Sequence, residues 1–309
     1  MTNNLFHYSL INKLIIGSRG SKLALIQSNL IKSLIEKQFI DLEIKIKVIS
    51  TKGDRVIDQP IKSIGDKGLF TYEIEKQLLN HRIDVAVHSL KDLPSELNSD
   101  LEYVGSPIRQ DLRDALVSTK WDCLDSIPIG GVIATGSIRR KSQLLNLRPD
   151  LKIVNLRGNV DTRILKLNES NWDGIIVAAA AMHRLKLDSL ISEYLDPNFF
   201  VPAPCQGALG LEIAKDRINI NKILSSIINN ETTFLCSVER LFLREFEGNC
   251  SIPIGCYTEI IENQIYITGY ISSQDGSNSI IETINGNKNN YIILVKELVS
   301  KINKNSLRD

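Results

Sequence analysis

Short apolar segments alternate with longer amphipathic ones along the first part of the chain, and this alternation limits the possible folds more than any other feature. Leu14–Gly17 predicts a short buried strand, and Ser21–Lys37 has apolar residues at helical spacing. Leu42–Ile49 alternates as a strand does, Phe70–Asn80 has a helical period, and Asp84–His88 is again a short apolar strand. Strands that alternate with helices indicate βαβ units and a doubly wound sheet.

The alternation starts again after the polar segment Pro107–Arg113, which we interpret as a domain boundary. The strands and helices predicted beyond it are Val132–Thr135, Ile138–Leu147, Lys152–Asn155, Val160–Leu167 and Gly174–Ala179. After Asn229 the predicted elements are Glu231–Glu245, Ile254–Ile261, Gln264–Ile271, Ser279–Ile284 and Tyr291–Ile302. The sequence therefore predicts an α/β protein with two similar domains and a small α+β third domain.

The net charge and the hydropathy of the chain argue against nucleic acid and membrane as binding partners. Lys plus Arg number 37 against 36 acidic residues, a formal net charge of +1, whereas a general nucleic-acid binder usually has a basic excess. No apolar stretch approaches the roughly 18 residues of a membrane span, and no secretory signal pattern is visible. We therefore expect a cytoplasmic protein with no nucleic-acid or membrane partner. The near-neutral charge and the lack of an interface motif lead us to expect a monomer.

Cysteine and histidine spacing does not suggest a metal site. The cysteines are Cys123, Cys205, Cys236, Cys250 and Cys256. Their number is odd, their spacing is irregular and none forms a Cys-x-x-Cys pair, so we expect reduced thiols without a disulfide framework or structural zinc.

Arginines gather at three predicted strand-to-helix junctions. The residues are Arg19 before Ser21, Arg139 and Arg140 after Ser137, and Arg157 with Arg163. A helix N-terminus offers free N–H groups to an anion, and guanidinium groups add bidentate donors for carboxylate or phosphate. Each arginine could instead solvate its own helix. Basic residues in a first helical turn oppose the helix dipole, however, and a bound anion would remove that conflict. The set predicts a crevice for a ligand with many negative charges.

Two further residues could take part in chemistry. Asp92 follows an apolar strand directly, beside Lys91, and is either a turn-forming residue or a carboxylate that stabilises a cation and moves protons. Cys250 lies in a loop rich in glycine and proline, and is either an inert thiol or an accessible attachment point. Composition leaves both alternatives open.

Several longer motifs give the sequence a family resemblance. The motifs occur in order between about Leu14 and Ile271: GSRGSKLAL, TKGDRVIDQPI followed by GDKGLF, DVAVHSLKDLP, DLRDALVS, TGSIRRKSQLLNLRPDLKIVNLRGNVDTR, PCQGALGLE and EGNCSIPIG. In these motifs the chain resembles the porphobilinogen deaminase family. The resemblance implies a transferase of tetrapyrrole and haem biosynthesis. Such an enzyme joins four porphobilinogen molecules, with loss of ammonia, into hydroxymethylbilane, which would pass to uroporphyrinogen-III synthase.

The resemblance also implies roles for individual residues. Asp92 matches the catalytic aspartate, and Cys250 matches the cysteine that holds a dipyrromethane cofactor through a thioether. No metal is implied. The residues that match contacts to cofactor and substrate are Arg19, Ser21, Lys67, Lys91, Ser137, Arg139, Arg140, Arg157, Arg163 and Arg184.

The fold implied by the resemblance has three domains, the first two similar to type II periplasmic binding proteins with the active site between them. We expect a first domain of residues 1–107 plus about 206–228, a second of 108–205, and a third of 229–309 that carries the cofactor cysteine. This chain departs from the family pattern at Ser63, Ala181 and Cys205, and the last two are expected to stiffen loops. Two other functions remain open on the same fold: an anion-binding module, and a transferase for phosphorylated metabolites.

Overall fold

The computed structural model describes residues 11–55, 70–246 and 252–306, and the chain divides into two compact units. Unit 1 consists of Met1–Ile108 and Leu209–Thr233, and unit 2 consists of Arg109–Ala208 and Phe234–Asp309. The chain passes from unit 1 to unit 2 within the polar segment that we interpreted as a boundary. The finer division into three domains stays a prediction.

Unit 1 is built on a five-stranded mixed sheet with the strand order β2-β1-β3-β10-β4. Its strands are β1 (Lys13–Ser18), β2 (Glu43–Val48), β3 (Val85–Ser89), β4 (Leu101–Gly105) and β10 (Leu209–Ala214). Its helices are α1 (Lys22–Glu36), α2 (Lys52–Arg55), α3 (Tyr72–Leu79) and α7 (Ile218–Ser225). Strand β1 pairs in parallel with β2 and β3, whereas β10 is antiparallel to both β3 and β4.

The amphipathic pattern of α1 explains how this helix packs. Ser21 begins the helix as its N-cap, and the Ser21 Oγ accepts a hydrogen bond from the Ala24 N–H at 3.3 Å. Ile31 and Ile35 are fully buried on one face, in a cluster with Leu14 of β1. Burial of each such side chain contributes roughly 1.5–3 kcal/mol to the free energy of folding. Helix α1 is therefore held against the sheet directly after the C-terminal end of β1.

Unit 2 contains a second five-stranded mixed sheet, with the order β7-β6-β8-β5-β9. Its strands are β5 (Asp114–Val117), β6 (Val132–Ala134), β7 (Lys152–Val154), β8 (Gly174–Ala178) and β9 (Glu193–Tyr194). Its helices are α4 (Ile138–Leu147), α5 (Val160–Asn168) and α6 (Ala179–Leu185). Strand β6 pairs in parallel with β7 and β8, and β5 is antiparallel to β8 and β9.

The C-terminal part of unit 2 is a small α+β structure. It consists of α8 (Asn230–Glu245), which belongs to unit 2 from Phe234 onward, and of β11 (Ile254–Ile261), β12 (Gln264–Ile271), β13 (Ile280–Asn287) and α9 (Tyr291–Ser306). The three strands form an antiparallel sheet in chain order. Phe242 of α8 and Val295 of α9 are fully buried in one apolar cluster with Ile267 of β12. The predicted fold class, two doubly wound α/β sheets and a small α+β part, is confirmed.

A buried ion pair joins the C-terminal part to the rest of unit 2. Arg109 Nη1 and Nη2 lie 2.7 and 3.0 Å from the two carboxylate oxygens of Glu239, whose side chain is 0% exposed. Glu239 also accepts hydrogen bonds from the backbone N–H of Cys205 and from that of Thr258. One carboxylate therefore connects α8, β11 and the loop that precedes β10.

Several elements differ from the sequence prediction. The sequence reasoning missed the strands β4, β5, β9 and β10, each of which has an antiparallel neighbour far away along the chain. It also missed the helices α2, α6 and α7. The interpretation of Ala181 as a loop residue is wrong, since Ala181 lies inside α6. Cys205 does lie in a loop, and its φ of 62° is in the left-handed region that favours glycine. Ser63 is outside the described residues.

We expect Glu239→Gln to lower the free energy of unfolding by about 3 kcal/mol, because the substitution leaves the Arg109 charge buried without its counter-ion. Urea denaturation followed by circular dichroism measures this change. Asp150→Asn is the matched control, since the Arg148–Asp150 pair is partly exposed, with Asp150 26% exposed, and the loss of such a pair should lower the free energy of unfolding much less. Equal effects of the two substitutions would contradict the structural role of Glu239.

Candidate active site

In unit 1 the topology brings two predicted site segments to one edge of the sheet. Strands β1 and β3 are parallel neighbours, so the residues that follow them, Arg19 and Asp92, leave the sheet at the same edge. Gln27 of α1 connects the two segments, since Gln27 Nε2 donates a hydrogen bond to the Ser89 Oγ at 3.0 Å.

Asp92 lies on a short turn that buried leucines hold on both sides. A 3₁₀ turn covers Leu90–Asp92, and Leu90 and Leu93 are 1% and 3% exposed. Lys91 and Asp92 are exposed between these anchors. Within the described ranges no hydrogen bond or ion pair occupies the Asp92 carboxylate. The turn therefore presents a carboxylate at the sheet edge without using it for capping.

Arg19 has an acidic partner within unit 1. Arg19 Nη2 lies 2.5 Å from Asp54 Oδ1, and the guanidinium lies over the ring of Phe70 at 4.1 Å from its centroid. Burial alone would raise the pKa of Asp54, but the bonds from Arg19 and Thr51 outweigh burial and hold that pKa below its usual value of 3.8. Arg19 is thus oriented by Asp54, a residue that sequence reasoning did not identify.

In unit 2 the two predicted junctions lie next to each other, because β6 and β7 are parallel neighbours. Ser137 is the N-cap of α4, and its Oγ accepts a hydrogen bond from the Arg140 N–H at 3.4 Å. A Cβ at Gly136 would lie 2.5 Å from the Leu156 carbonyl oxygen, so glycine permits the close approach of the two junctions. A cavity of about 230 Å³ lies there, lined in part by Lys141.

Arg157 and Arg163 belong to the second of these junctions and are half-buried. Arg163 Nε donates to the carbonyl oxygen of Gly158 at 2.8 Å, which holds its side chain back over the turn that starts α5. Gly158 has a φ of 117°, a conformation that glycine readily adopts.

Arg139 and Arg140 point into the interior and share one carboxylate. Arg139 Nη2 lies 2.7 Å from Asp114 Oδ2, and Arg140 Nη2 lies 2.7 Å from Asp114 Oδ1. The Arg139 and Arg140 residues are each 5% exposed and Asp114 is fully buried. Burial, together with the charge of Arg140, lowers the pKa of Arg139 although Asp114 opposes this shift. Among the described residues, the cluster of Arg139, Arg140 and Asp114 contains one more positive charge than negative charge.

Arg184 is connected to this cluster through the segment Gln206–Gly207. Its Nη2 donates to the Gly207 carbonyl oxygen at 2.6 Å, and the preceding residue, Gln206, donates from Nε2 to Asp114 Oδ1 at 2.9 Å. Burial lowers the pKa of Arg184 to about 10. Its Nε is buried without an acceptor, and in the described part of the chain no carboxylate is within ion-pair distance of it. An arginine in this state is suited to receive an external anion.

Two predicted site residues, Lys67 and Cys250, lie outside the described residues. The remaining ones form two groups. Unit 1 holds Arg19, Ser21, Lys91 and Asp92, and unit 2 holds Ser137, Arg139, Arg140, Arg157, Arg163 and Arg184. In the ranges that the structure describes, no three His, Cys, Asp or Glu residues are grouped to bind a metal ion, and no helix is long and apolar enough to cross a membrane.

Comparison with known proteins decides the family. A family profile described as "Porphobilinogen deaminase, dipyromethane cofactor binding domain" matches residues 14–222, and one described as "Porphobilinogen deaminase, C-terminal domain" matches residues 233–304. The chain belongs to the porphobilinogen deaminase family. This membership makes it a transferase of the hydroxymethylbilane synthase type, as the family resemblance implied.

Individual relatives agree with this assignment. Porphobilinogen deaminase of Clostridioides difficile is 44% identical over 274 residues, which cover 88% of this chain and 91% of that protein. Porphobilinogen deaminase of Maridesulfovibrio salexigens is 44% identical over 270 residues, covering 87% and 88%. Among solved structures, the methionine-binding protein MetQ matches 72% of this chain and 92% of its own at 13% identity, with a TM-score of 0.47.

The residues present fit the cofactor that the porphobilinogen deaminase profile names. A dipyrromethane built from porphobilinogen carries an acetate and a propionate on each ring, so its binding site needs donors for several carboxylates. Unit 2 provides a buried guanidinium pair with one excess positive charge, and it provides Arg184, whose Nε has no acceptor. Both features match a ligand with many carboxylates.

The Arg19–Asp54 pair predicts a pH-dependent stability in unit 1. The pKa of Asp54 is lower in the folded chain than its usual 3.8, so the pair stabilises the fold fully above that value and less as the pH falls through the folded pKa. We expect Asp54→Asn to lower the free energy of unfolding by about 1 kcal/mol near pH 6, and by progressively less below pH 4.

Urea titrations at several pH values measure this difference. Asp41→Asn is the control, because Asp41 is an exposed carboxylate of the same unit. If the difference in free energy of unfolding between the unsubstituted protein and Asp54→Asn stays constant down to pH 3, the lowered pKa does not arise from this pair.

Proposed function

We propose that the chain joins four porphobilinogen molecules head to tail, with loss of ammonia, into hydroxymethylbilane, using Asp92 as its catalytic residue and Cys250 as its cofactor attachment point. The observation that carries this proposal is the match to the two family profiles over residues 14–222 and 233–304. The exposed carboxylate at the sheet edge and the excess positive charge of unit 2 support it from the chain's own geometry.

Asp92 is suited to the chemistry because its carboxylate is exposed and is not bound by another described side chain. Loss of ammonia from porphobilinogen leaves a positive charge on the pyrrole, and a carboxylate beside it stabilises that charge. The same carboxylate can accept and return a proton. The buried side chains of Leu90 and Leu93 anchor the turn on either side of Asp92, so the turn is held in place by apolar packing.

The arginines act as binding groups for carboxylates. Each porphobilinogen carries an acetate and a propionate, and a planar guanidinium binds a carboxylate through two parallel hydrogen bonds. Arg139, Arg140 and Arg184 have the burial that makes such bonds strong. We assign the same role to Arg19, Arg157 and Arg163, and we assign to Lys67 and Lys91 the role of additional cations.

The two serines at helix starts add neutral contacts. The Ser21 and Ser137 oxygens already accept N–H bonds from their own helices, from Ala24 and Arg140. Each hydroxyl keeps its own proton, which it can donate to a carboxylate oxygen of the ligand. Their caps therefore orient the hydroxyl groups and do not exclude ligand binding.

The dipyrromethane, bound through a thioether to Cys250, supplies the free pyrrole position to which the first substrate is added. The near-neutral charge and the family's biosynthetic role support a monomeric enzyme of the cytoplasm. The product is a labile polyanion, and uroporphyrinogen-III synthase is its proposed recipient.

We expect Asp92→Asn to lower the rate of porphobilinogen consumption by at least about 100-fold, the usual scale for a proton-transferring carboxylate. The substitution keeps the side-chain shape and removes only the charge of an exposed group, so the thermal unfolding temperature should stay unchanged. Asp41→Asn, at another exposed aspartate of unit 1, should keep full activity. Turnover of Asp92→Asn close to that of the unsubstituted protein would remove Asp92 from the mechanism.

The covalent attachment predicts a mass difference. The purified protein should exceed its sequence mass of 34.6 kDa by the mass of one dipyrromethane, and Cys250→Ser should have the unmodified mass. Cys123→Ser is the matched control, because Cys123 is a free and partly exposed cysteine that should leave the added mass in place. Active protein with the unmodified mass would refute the attachment at Cys250.

A further inference from the structure

Within the part of the chain that the structure describes, Asp114 is the one carboxylate that contacts the buried pair Arg139 and Arg140 in unit 2. Its Oδ2 accepts a hydrogen bond from Arg139 Nη2 at 2.7 Å. Its Oδ1 accepts hydrogen bonds from Arg140 Nη2 at 2.7 Å and from Arg140 Nε at 3.0 Å. The side chain of Asp114 is 0% exposed and those of the two arginines are each 6% exposed. Both oxygens of one carboxylate are therefore committed to two different guanidinium groups.

Backbone carbonyl oxygens provide a second fixed point for each arginine. Arg139 Nη1 donates to the Val201 carbonyl oxygen at 2.7 Å, and Arg140 Nη1 donates to the Ile176 carbonyl oxygen at 2.8 Å. A planar guanidinium that is bonded at two points cannot rotate out of its plane without breaking a bond. Asp114 and the two carbonyl groups thus set the orientation of both guanidinium planes.

The charges of the cluster do not balance within the described ranges. Two guanidinium groups carry two positive charges, and Asp114 supplies one negative charge. A purely structural ion pair with Asp114 would need only one arginine. A second buried positive charge is unfavourable unless an anion binds to it. The uncancelled charge therefore points to a ligand anion, while Asp114 offsets part of the repulsion between the two guanidinium groups.

We propose that Asp114 is a positioning residue: it fixes the guanidinium planes of Arg139 and Arg140 and, among the described residues, supplies the one negative charge bonded to them, so that the pair accepts a ligand carboxylate in a defined geometry. This inference rests on the proposed function, because it takes these arginines as carboxylate-binding groups. Asp114 does not touch the substrate in this role and acts only through the two arginines.

Asp114→Asn in the holoenzyme tests the role, since the amide has nearly the same shape and lacks the charge. The two guanidinium groups then repel each other and lose their shared acceptor. We expect KM for porphobilinogen to rise at least tenfold and kcat to change less than threefold. Asp150→Asn, at the partly exposed Arg148–Asp150 pair of the same unit, should leave both constants unchanged. A folded Asp114→Asn enzyme with unchanged KM, or with a lowered kcat alone, would overturn the proposal.

A double-substitution cycle separates positioning from a purely structural role. Arg140→Gln removes one of the two repelling charges, so adding Asp114→Asn to it should raise KM less than threefold beyond Arg140→Gln alone. If Asp114→Asn raises KM by the same factor with and without Arg140→Gln, Asp114 acts independently of Arg140 and the proposal is overturned.

The cycle also decides the case in which Asp114→Asn does not fold. The double variant restores the one excess positive charge of the unsubstituted cluster, so it should fold and should unfold at a higher temperature than Asp114→Asn. Failure of both variants to fold would make Asp114 a folding residue and would refute the positioning role. A lack of porphobilinogen consumption by the unsubstituted holoenzyme would refute the proposed function instead.

Discussion

The buried carboxylate of Asp114 has to be ionised in a place that water does not reach, and the surrounding part of unit 2 is arranged to keep it so. Arg139, Arg140 and Gln206 all donate to its two oxygens. These donors come from α4 and from the loop before β10, whereas Asp114 itself opens β5. One ionised group therefore sets the relative placement of a helix, a strand and a loop, and it does so with the side chains to which we assign ligand binding. Under the proposed function, stability and recognition depend on the same contacts.

A second carboxylate, Glu239, has the corresponding role between the C-terminal part and the rest of unit 2. Its oxygens accept from Arg109, from the Cys205 N–H and from the Thr258 N–H. Gln206, which binds Asp114, also offers its carbonyl oxygen to Arg109 Nε at 2.8 Å. The two buried anions are thus connected through Arg109 and Gln206. A change in the loop that carries Cys205 and Gln206 affects both.

Sequence reasoning was most successful where local pattern determines the structure. The bounds of α4, β11 and β12 match the prediction, since each of these segments could be recognised from its own residues. It failed for β4, β5, β9 and β10, which pair antiparallel with strands far away in the chain. Periodicity within a window contains no information on such a partner.

The site shows the same division. The arginines could be selected from the sequence because glycine, serine and arginine recur at strand-to-helix junctions. Asp114 could not, since its bonds to Arg140 and Gln206 span 26 and 92 residues of sequence. From the sequence we inferred that an external anion offsets the unfavourable interaction between the arginines at the start of α4 and the helix dipole. The structure shows that an internal anion, Asp114, already offsets part of that positive charge. The only sequence signal was an aspartate at the start of the apolar segment DALV, where a buried charge needs a partner.

The position of β10 in the sheet of unit 1 has a consequence for synthesis on the ribosome. This strand lies between β3 and β4, and its residues follow more than a hundred others that are made after β3. Until β10 has emerged, β4 has no neighbour in the sheet and β3 has an open edge. The nascent chain therefore cannot complete its first-made unit before much of the second has left the exit tunnel, and vectorial folding of this protein has to keep an unfinished sheet from aggregating in the meantime.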